Sequence, residues 1–188
     1  KGCPLRCAWC HNPEAIRFDR EVSFMPDRCI GCGHCAEVCP ENATVHTSDG
    51  MITRIAERCI HCAACVGVCP SQARFVYGKP MSVEEVFEEI YKDLPFYRRS
   101  QGGITISGGE PLMQPEFLLE LLEVCNDLDI HRAVDTTGYA DAELLLKVAQ
   151  KTDLFLYDLK FMDADKHRDF NGVSNQVILN NLKLLSQH

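Results

Sequence analysis

The chain has 188 residues, 46% hydrophobic and 24% charged, the composition of a soluble globular protein with room for one sizeable core or two small ones. Its formal net charge of -8, from 19 basic and 27 acidic residues, argues against nucleic acid as a partner, because phosphate binding draws on clustered Lys and Arg. There is no apolar run of about eighteen residues and nothing at the start reads as a signal peptide, so no membrane partner and a cytoplasmic location are expected.

Eleven of the twelve cysteines fall in three tight groups, and only Cys125 stands alone. A disulfide scaffold of this density belongs to secreted chains with a targeting segment. Cysteines two or three residues apart instead converge on a point, which suits metal. The first group lies in Lys1-Gly2-Cys3-Pro4-Leu5-Arg6-Cys7-Ala8-Trp9-Cys10-His11-Asn12-Pro13, where three cysteines have C-x3-C-x2-C spacing. A four-iron four-sulfur cluster usually takes four thiolates, and a metal site that does chemistry keeps one position open for its reactant. Three ligands therefore suggest a cluster with one open iron. The alternative is a structural zinc completed by a distant fourth ligand.

The next two groups repeat one another thirty residues apart, Cys29-x2-Cys32-x2-Cys35-x3-Cys39-Pro40 and Cys59-x2-Cys62-x2-Cys65-x3-Cys69-Pro70. This is the spacing of bacterial two-cluster ferredoxins, in which the fourth cysteine of each run ligates the other cluster. Cys29, Cys32, Cys35 and Cys69 are accordingly assigned to one cluster, and Cys59, Cys62, Cys65 and Cys39 to the other. Zinc knuckles would explain the C-x2-C pairs but require neither the third cysteine nor the proline. Thr44–Thr47 and Ile52–Ile55 flank Ser48-Asp49-Gly50 and read as a short hairpin, since Asp-Gly favours a tight turn. Residues 22–78 thus read as a compact insert between a cysteine-loop segment, 1–21, and the remainder, 79–188. His34 and His61 lie inside the cysteine loops and could tune or ligate a cluster, but the thiolates already suffice, and solvated loop histidines are expected.

Beyond Pro80, Ser82 and Glu85 fit a capping box, and Val83, Val86, Phe87, Ile90, Tyr91 and Leu94 recur at helical intervals until Pro95 stops the run. Strands are predicted at Ile104–Ser107, Ile130–Val134 and Leu154–Tyr157. Helices are predicted from about Pro115 to Leu128, over roughly 141–150, and from Asn175, capped by Ser174, to Leu185, with Cys125 as a core thiol. Strand and helix alternating at about 25-residue intervals imply an α/β chain with a parallel sheet and crossover helices. Ligand sites in such folds gather at the carboxyl ends of strands. Glu110, Asp135, Asp158 and Lys160 are therefore expected on one rim, although each taken singly has the bland reading of a turn or helix cap.

Taken together, these residues resemble the radical S-adenosylmethionine (SAM) enzymes, and among them the activating enzymes of glycyl radical enzymes. The resemblance is carried by the three-cysteine loop with Trp9 before its last cysteine, by His11-Asn12-Pro13-Glu14, and by Ile106-Ser107-Gly108-Gly109-Glu110-Pro111. It continues in Asp135-Thr136-Thr137-Gly138, Asp158-Leu159-Lys160 and Asn171-Gly172-Val173-Ser174-Asn175. It implies an incomplete (β/α) barrel of the radical SAM type with an inserted two-cluster ferredoxin-like domain, the insert marking the subgroup that activates dehydratases, decarboxylases and lyases.

By that resemblance Cys3, Cys7 and Cys10 bind three irons, and the fourth iron takes the amino and carboxylate groups of SAM. Trp9 and His11 border the adenine, Asn12 helps hold SAM, and Gly108-Gly109-Glu110 receives its amino group. Asp135, Thr136 and Asp158 match positions that can hold a monovalent cation, and Leu159-Lys160 brings a lysine to the carboxylate. The implied cofactors are three 4Fe-4S clusters and SAM. The implied partners are a glycyl radical enzyme as protein substrate and an external reductant such as flavodoxin or ferredoxin. Reductive cleavage of SAM to a 5'-deoxyadenosyl radical, and hydrogen abstraction from a backbone glycine, need no general acid or base, so no catalytic side chain is assigned. Family members continue through further strand and helix units at both ends, so the 188 residues read as an excised portion, not expected to be active alone. The competing readings are another radical SAM enzyme with auxiliary clusters, such as a peptide or sulfatase maturase, and a polyferredoxin electron carrier with no SAM chemistry.

Overall fold

In the computed structural model, which describes residues 1–47 and 51–187, Asp19–Lys79 forms one compact unit and the rest of the chain another. The first unit contains β1 (Glu21–Phe24), α1 (His34–Glu37), β2 (Thr44–His46), β3 (Ile52–Arg54), α2 (Ala64–Gly67) and β4 (Arg74–Tyr77). β1 pairs antiparallel with β4, and β2 with β3, in two separate two-stranded sheets. The Ser48-Asp49-Gly50 turn lies outside the described residues.

This pairing follows the sequence repeat. β1 leads into the first cysteine run but pairs with the strand that leaves the second, so the end of each run is carried across to the start of the other. The cysteine loops themselves turn through left-handed backbone. Gly31 (φ 70°) and Gly33 (φ 82°) of the first run are matched by His61 (φ 54°) and Ala63 (φ 68°) of the second. A residue with a Cβ is strained there. His61 gains compensation, because its Nδ1 accepts the Val22 N–H at 2.9 Å. It is thus a structural acceptor for the entering strand, a correction to the expectation of a solvated loop histidine, whereas His34 is exposed.

The second unit contains α3 (Val83–Lys92), α4 (Leu94–Ser100), β5 (Gly103–Ile106), α5 (Pro115–Asn126), β6 (His131–Thr136), α6 (Ala142–Ala149), β7 (Leu154–Tyr157), α7 (Ala164–Asn171) and α8 (Gln176–Leu185). The capping box of α3 is complete: Ser82 Oγ accepts the Glu85 N–H and the Glu85 carboxylate accepts the Ser82 N–H. Pro95 does not simply end a helix. It sits in the first turn of α4, where its missing N–H has no helical partner to lose. α7 is absent from the sequence-based expectation. Its residues Ala164-Asp165-Lys166-His167-Arg168-Asp169-Phe170-Asn171 have no apolar period, and its start is fixed by Asp163, whose side chain accepts the Lys166 N–H at 2.8 Å.

β5, β6 and β7 form a parallel sheet in that order, with Ile106 beside Val134 and Thr136 beside Tyr157. On the helix-covered face Leu118, Leu122, Val134, Leu145 and Val148 are almost fully buried, joined by Phe155 and Leu185. A second cluster of Val83, Leu94, Leu121, Cys125 and Ile130 seats α3 and α4 against α5. Each such side chain contributes about 1.5–3 kcal/mol relative to exposure. Cys125 is a core thiol, fully buried, and burial pushes it up to about 11 against the pull of Arg132. Because the strands run parallel, their carboxyl ends fall on one side of the sheet. No helix among the described residues is long and apolar enough to cross a membrane.

Candidate functional site

At that carboxyl side lies a cleft of about 980 Å³, counting its solvent mouth. One wall is the N-terminal loop, with Cys3, Cys7, Trp9, Cys10, His11 and Asn12, and the other is the strand ends, with Gly108, Gly109, Asp135, Thr136, Asp158 and Lys160. Backbone bonds hold the loop on both flanks. Gly2 N donates to Ala15 O and Cys3 N to Ile16 O, while Arg6 N donates to Asn171 O and Ala8 N to Phe170 O at the end of α7. Glu110 N in turn donates to Gly2 O at 2.7 Å. Gly109 must be glycine, since a Cβ would overlap the carbonyl oxygens of Gly2 and Ala15. Trp9, 45% exposed, lies edge-on to Phe161 with ring centroids 5.6 Å apart and beside Phe170 at 6.3 Å.

Each charge on the strand-end wall has a side-chain partner. Lys160 Nζ donates to Asp158 Oδ2 at 2.6 Å. Burial works against the lysine's charge, but the hydrogen bond and the charge of Asp158 outweigh it and hold the amine above its usual range. Asp135 Oδ2 accepts the Ser107 hydroxyl at 2.8 Å. A partly desolvated lysine and two carboxylates in one cleft suit a ligand that carries both an anionic and a cationic group.

Glu110 does not join them. It is 2% exposed, and its carboxylate accepts the Leu112 N–H, the Thr136 hydroxyl, the Thr137 N–H and the Thr137 hydroxyl at 2.6–3.1 Å. The expected position on the rim is therefore corrected: Glu110 ties the glycine turn after β5 to the end of β6 from behind the cleft wall. The Thr136 hydroxyl is committed in the same network and also accepts the Gly138 N–H. Leu159, 46% exposed, is not among the cleft-lining residues. Sequence reasoning missed Ser107 and Thr137, which line the cleft. Both stand directly after a strand, so the strand-end rule applied to every polar residue would have found them.

In the Asp19–Lys79 unit two further cavities open. One, of about 370 Å³ counting its solvent mouth, is walled by Cys39, Cys59, Cys62 and Cys65; the other, of about 290 Å³ counted the same way, is walled by Cys29, Cys32, Cys35 and Cys69. Each thus draws three thiols from one sequence run and the fourth from the other. A cubane takes four thiolates at four irons, and each cavity offers four thiols. Cys39 Sγ also accepts the Ala43 N–H at 3.2 Å, a bond that favours the thiolate form.

The model of a family described as a 4Fe-4S single cluster domain matches residues 1–179. Over 188 residues the chain is 47% identical to the trans-4-hydroxy-L-proline dehydratase activating enzyme of Clostridioides difficile, covering 100% of this chain and 62% of that protein. It is 45% identical over 192 residues to the choline trimethylamine-lyase activating enzyme of Oleidesulfovibrio alaskensis, covering 100% of this chain and 61% of the other. With the benzylsuccinate synthase activating enzyme of Thauera aromatica it shares 46% identity over 190 residues, 98% of this chain and 57% of that one. The chain therefore spans about three fifths of the length of these curated relatives.

Proposed function

The chain belongs to the family described as 4Fe-4S single cluster domains, and we propose that within it the chain is the SAM-binding portion of a glycyl radical enzyme activating enzyme. The observation that carries this reading is the cleft in which a three-cysteine loop faces the strand-end Asp135, Asp158 and Lys160. When bound, a 4Fe-4S cluster and SAM would supply one-electron reductive cleavage of the sulfonium and the hydrogen abstraction from a backbone glycine of a partner enzyme.

The residues hold and orient. Cys3, Cys7 and Cys10 would hold the cluster, three thiolates for a group that usually takes four, and so would leave a position open to SAM. Lys160 balances the carboxylate, Gly108 and Gly109 give the amino group a close approach to backbone carbonyls, and Trp9, His11 and Asn12 border the adenosyl group. Asp135, Thr136 and Asp158 offer oxygen donors to a monovalent cation, which would compete with Lys160 for Asp158. Glu110 acts through Thr136 and Thr137 as a positioning residue, and Leu159 spaces Asp158 from Lys160. No side chain needs to move a proton, so none is assigned as catalytic.

The Asp19–Lys79 unit is read as a ferredoxin-like insert holding two more 4Fe-4S clusters, loaded by a flavodoxin- or ferredoxin-type reductant. The other unit, residues 1–18 and 80–188, is read as part of a radical SAM barrel. The eleven clustered thiols suit a reducing cytoplasm, and the net charge of -8 favours a protein over a nucleic-acid partner. A polyferredoxin carrier leaves the strand-end wall of the cleft without a purpose. A peptide or sulfatase maturase would share the SAM chemistry and differ in its substrate.

Anaerobic reconstitution of the full-length protein tests this reading. About twelve irons per chain are expected from three clusters, with reductant-dependent formation of 5'-deoxyadenosine. Cys7→Ala should retain about two thirds of the iron and lose the 5'-deoxyadenosine. Zinc in place of iron, or cleavage that survives Cys7→Ala, would overturn it.

A further inference from the structure

Arg74 is the one buried cation in the Asp19–Lys79 unit with no hydrogen-bond partner among the described residues. It is 2% exposed, and its Nε, Nη1 and Nη2 are all unpartnered. One face of the guanidinium is taken by the Phe24 ring, with Cζ 4.2 Å from the ring centroid. Arg74 lines both four-cysteine cavities. Its counterpart in the sequence repeat is Thr44, which is equally buried but carries no charge. A guanidinium always carries its charge, and burying one unpaired is strongly unfavourable. The contact with Phe24 offsets part of this cost, and anionic groups in the spaces on which the guanidinium borders would offset the rest.

We propose that Arg74 is a positioning and tuning residue shared by the groups bound in the two cavities, setting the reduction potential of each through its positive charge. The proposal rests on the reading that these groups are 4Fe-4S clusters. One-electron reduction by a low-potential carrier adds one negative charge to a cluster, so a fixed cation stabilises the reduced form and raises the potential. Cluster potentials respond to local charge and to hydrogen bonds at sulfur, and Arg74 can supply both. The single guanidinium, bordering both sites, makes the two potentials move together.

The test is an EPR-monitored redox titration of the reconstituted full-length protein carrying Cys7→Ala, so that only the insert clusters report. It compares Arg74 with Arg74→Lys and Arg74→Met, with Arg74→Gln measured if the Met variant does not load. In the neutral variant both clusters should become harder to reduce by at least tenfold in equilibrium constant, about 59 mV for a one-electron couple. The lysine variant should stay within about threefold of the parent. Unchanged potentials in the neutral variant, or an equal loss in the lysine variant, would overturn the role of charge while leaving the cluster assignment intact. Failure of the Arg74 parent to bind iron at the eight cysteines would instead overturn the cluster assignment.

Discussion

Glu110 and Tyr157 show how side chains outside the cleft fix its walls. Glu110 takes four hydrogen bonds behind the glycine turn, so Glu110→Gln would turn an amide NH2 toward groups that are themselves donors. A loss of about 1.5–3 kcal/mol is expected, read as a lower urea midpoint and, on the proposed function, as weaker SAM binding. An unchanged midpoint would mean that the network is dispensable. Tyr157 donates its hydroxyl to Ile178 O at 2.7 Å, and burial, with the nearby Glu110 charge, pushes its phenol up to about 12 from an ordinary value of 10.0. The neutral phenol is the form the fold favours. Its contribution is therefore complete below pH 10 and is lost as the pH rises through about 12. Tyr157→Phe should be less stable than the parent at neutral pH, by about 1 kcal/mol, and denaturation across that window should show the gap closing as pH rises. A constant gap would contradict the assignment. In sequence, Glu110 stands after a strand just as Asp135 and Asp158 do. Its inward turn depends on Thr136 and Thr137, twenty-six and twenty-seven positions away, and local patterning carries no signal of that.

At the level of elements, α3 was legible because its capping box and its apolar spacing agree, and β7 because an apolar run ends in Asp158-Leu159-Lys160. α7 was not, since the side chains it buries are polar: His167 is 1% exposed, Asn171 is fully buried, and the His167 Nδ1–H donates to Val173 O at 2.6 Å. Yet the carbonyl oxygens of Phe170 and Asn171 at its end receive the Ala8 and Arg6 N–H groups of the cysteine loop. Asp163→Ala, which removes the cap of α7, should cost about 1 kcal/mol. On the proposed reading it should also lower iron occupancy at Cys3, Cys7 and Cys10 while leaving the other eight cysteines loaded, as counted by iron analysis beside a Cys7→Ala control. In the repeat, the strain at Ala63 (φ 68°) is visible only by comparison with Gly33. Ala63→Gly should raise the denaturation midpoint, stabilising the unit by about 0.5–1 kcal/mol, whereas a lowered midpoint would show that the strain is compensated elsewhere.

Across the whole molecule, the cysteine spacing and the strand–helix alternation carried the organisation, because both are periodic and local. Two features were out of reach of the pattern. One is the burial of Arg74 between the cysteine cavities, where the repeat position in the first run holds threonine. The other is the withdrawal of Glu110 from the rim. On the proposed function, one unit supplies electrons and the other holds SAM, so the activity of the full-length protein requires all eleven clustered cysteines. The most direct measurement mixes reconstituted full-length protein, SAM and reductant with a glycyl radical enzyme encoded beside it and labelled with α-deuterated glycine. A glycine-centred radical in the EPR spectrum and deuterium recovered in 5'-deoxyadenosine are predicted. Formation of 5'-deoxyadenosine without deuterium and without a glycine radical on the partner would contradict the account.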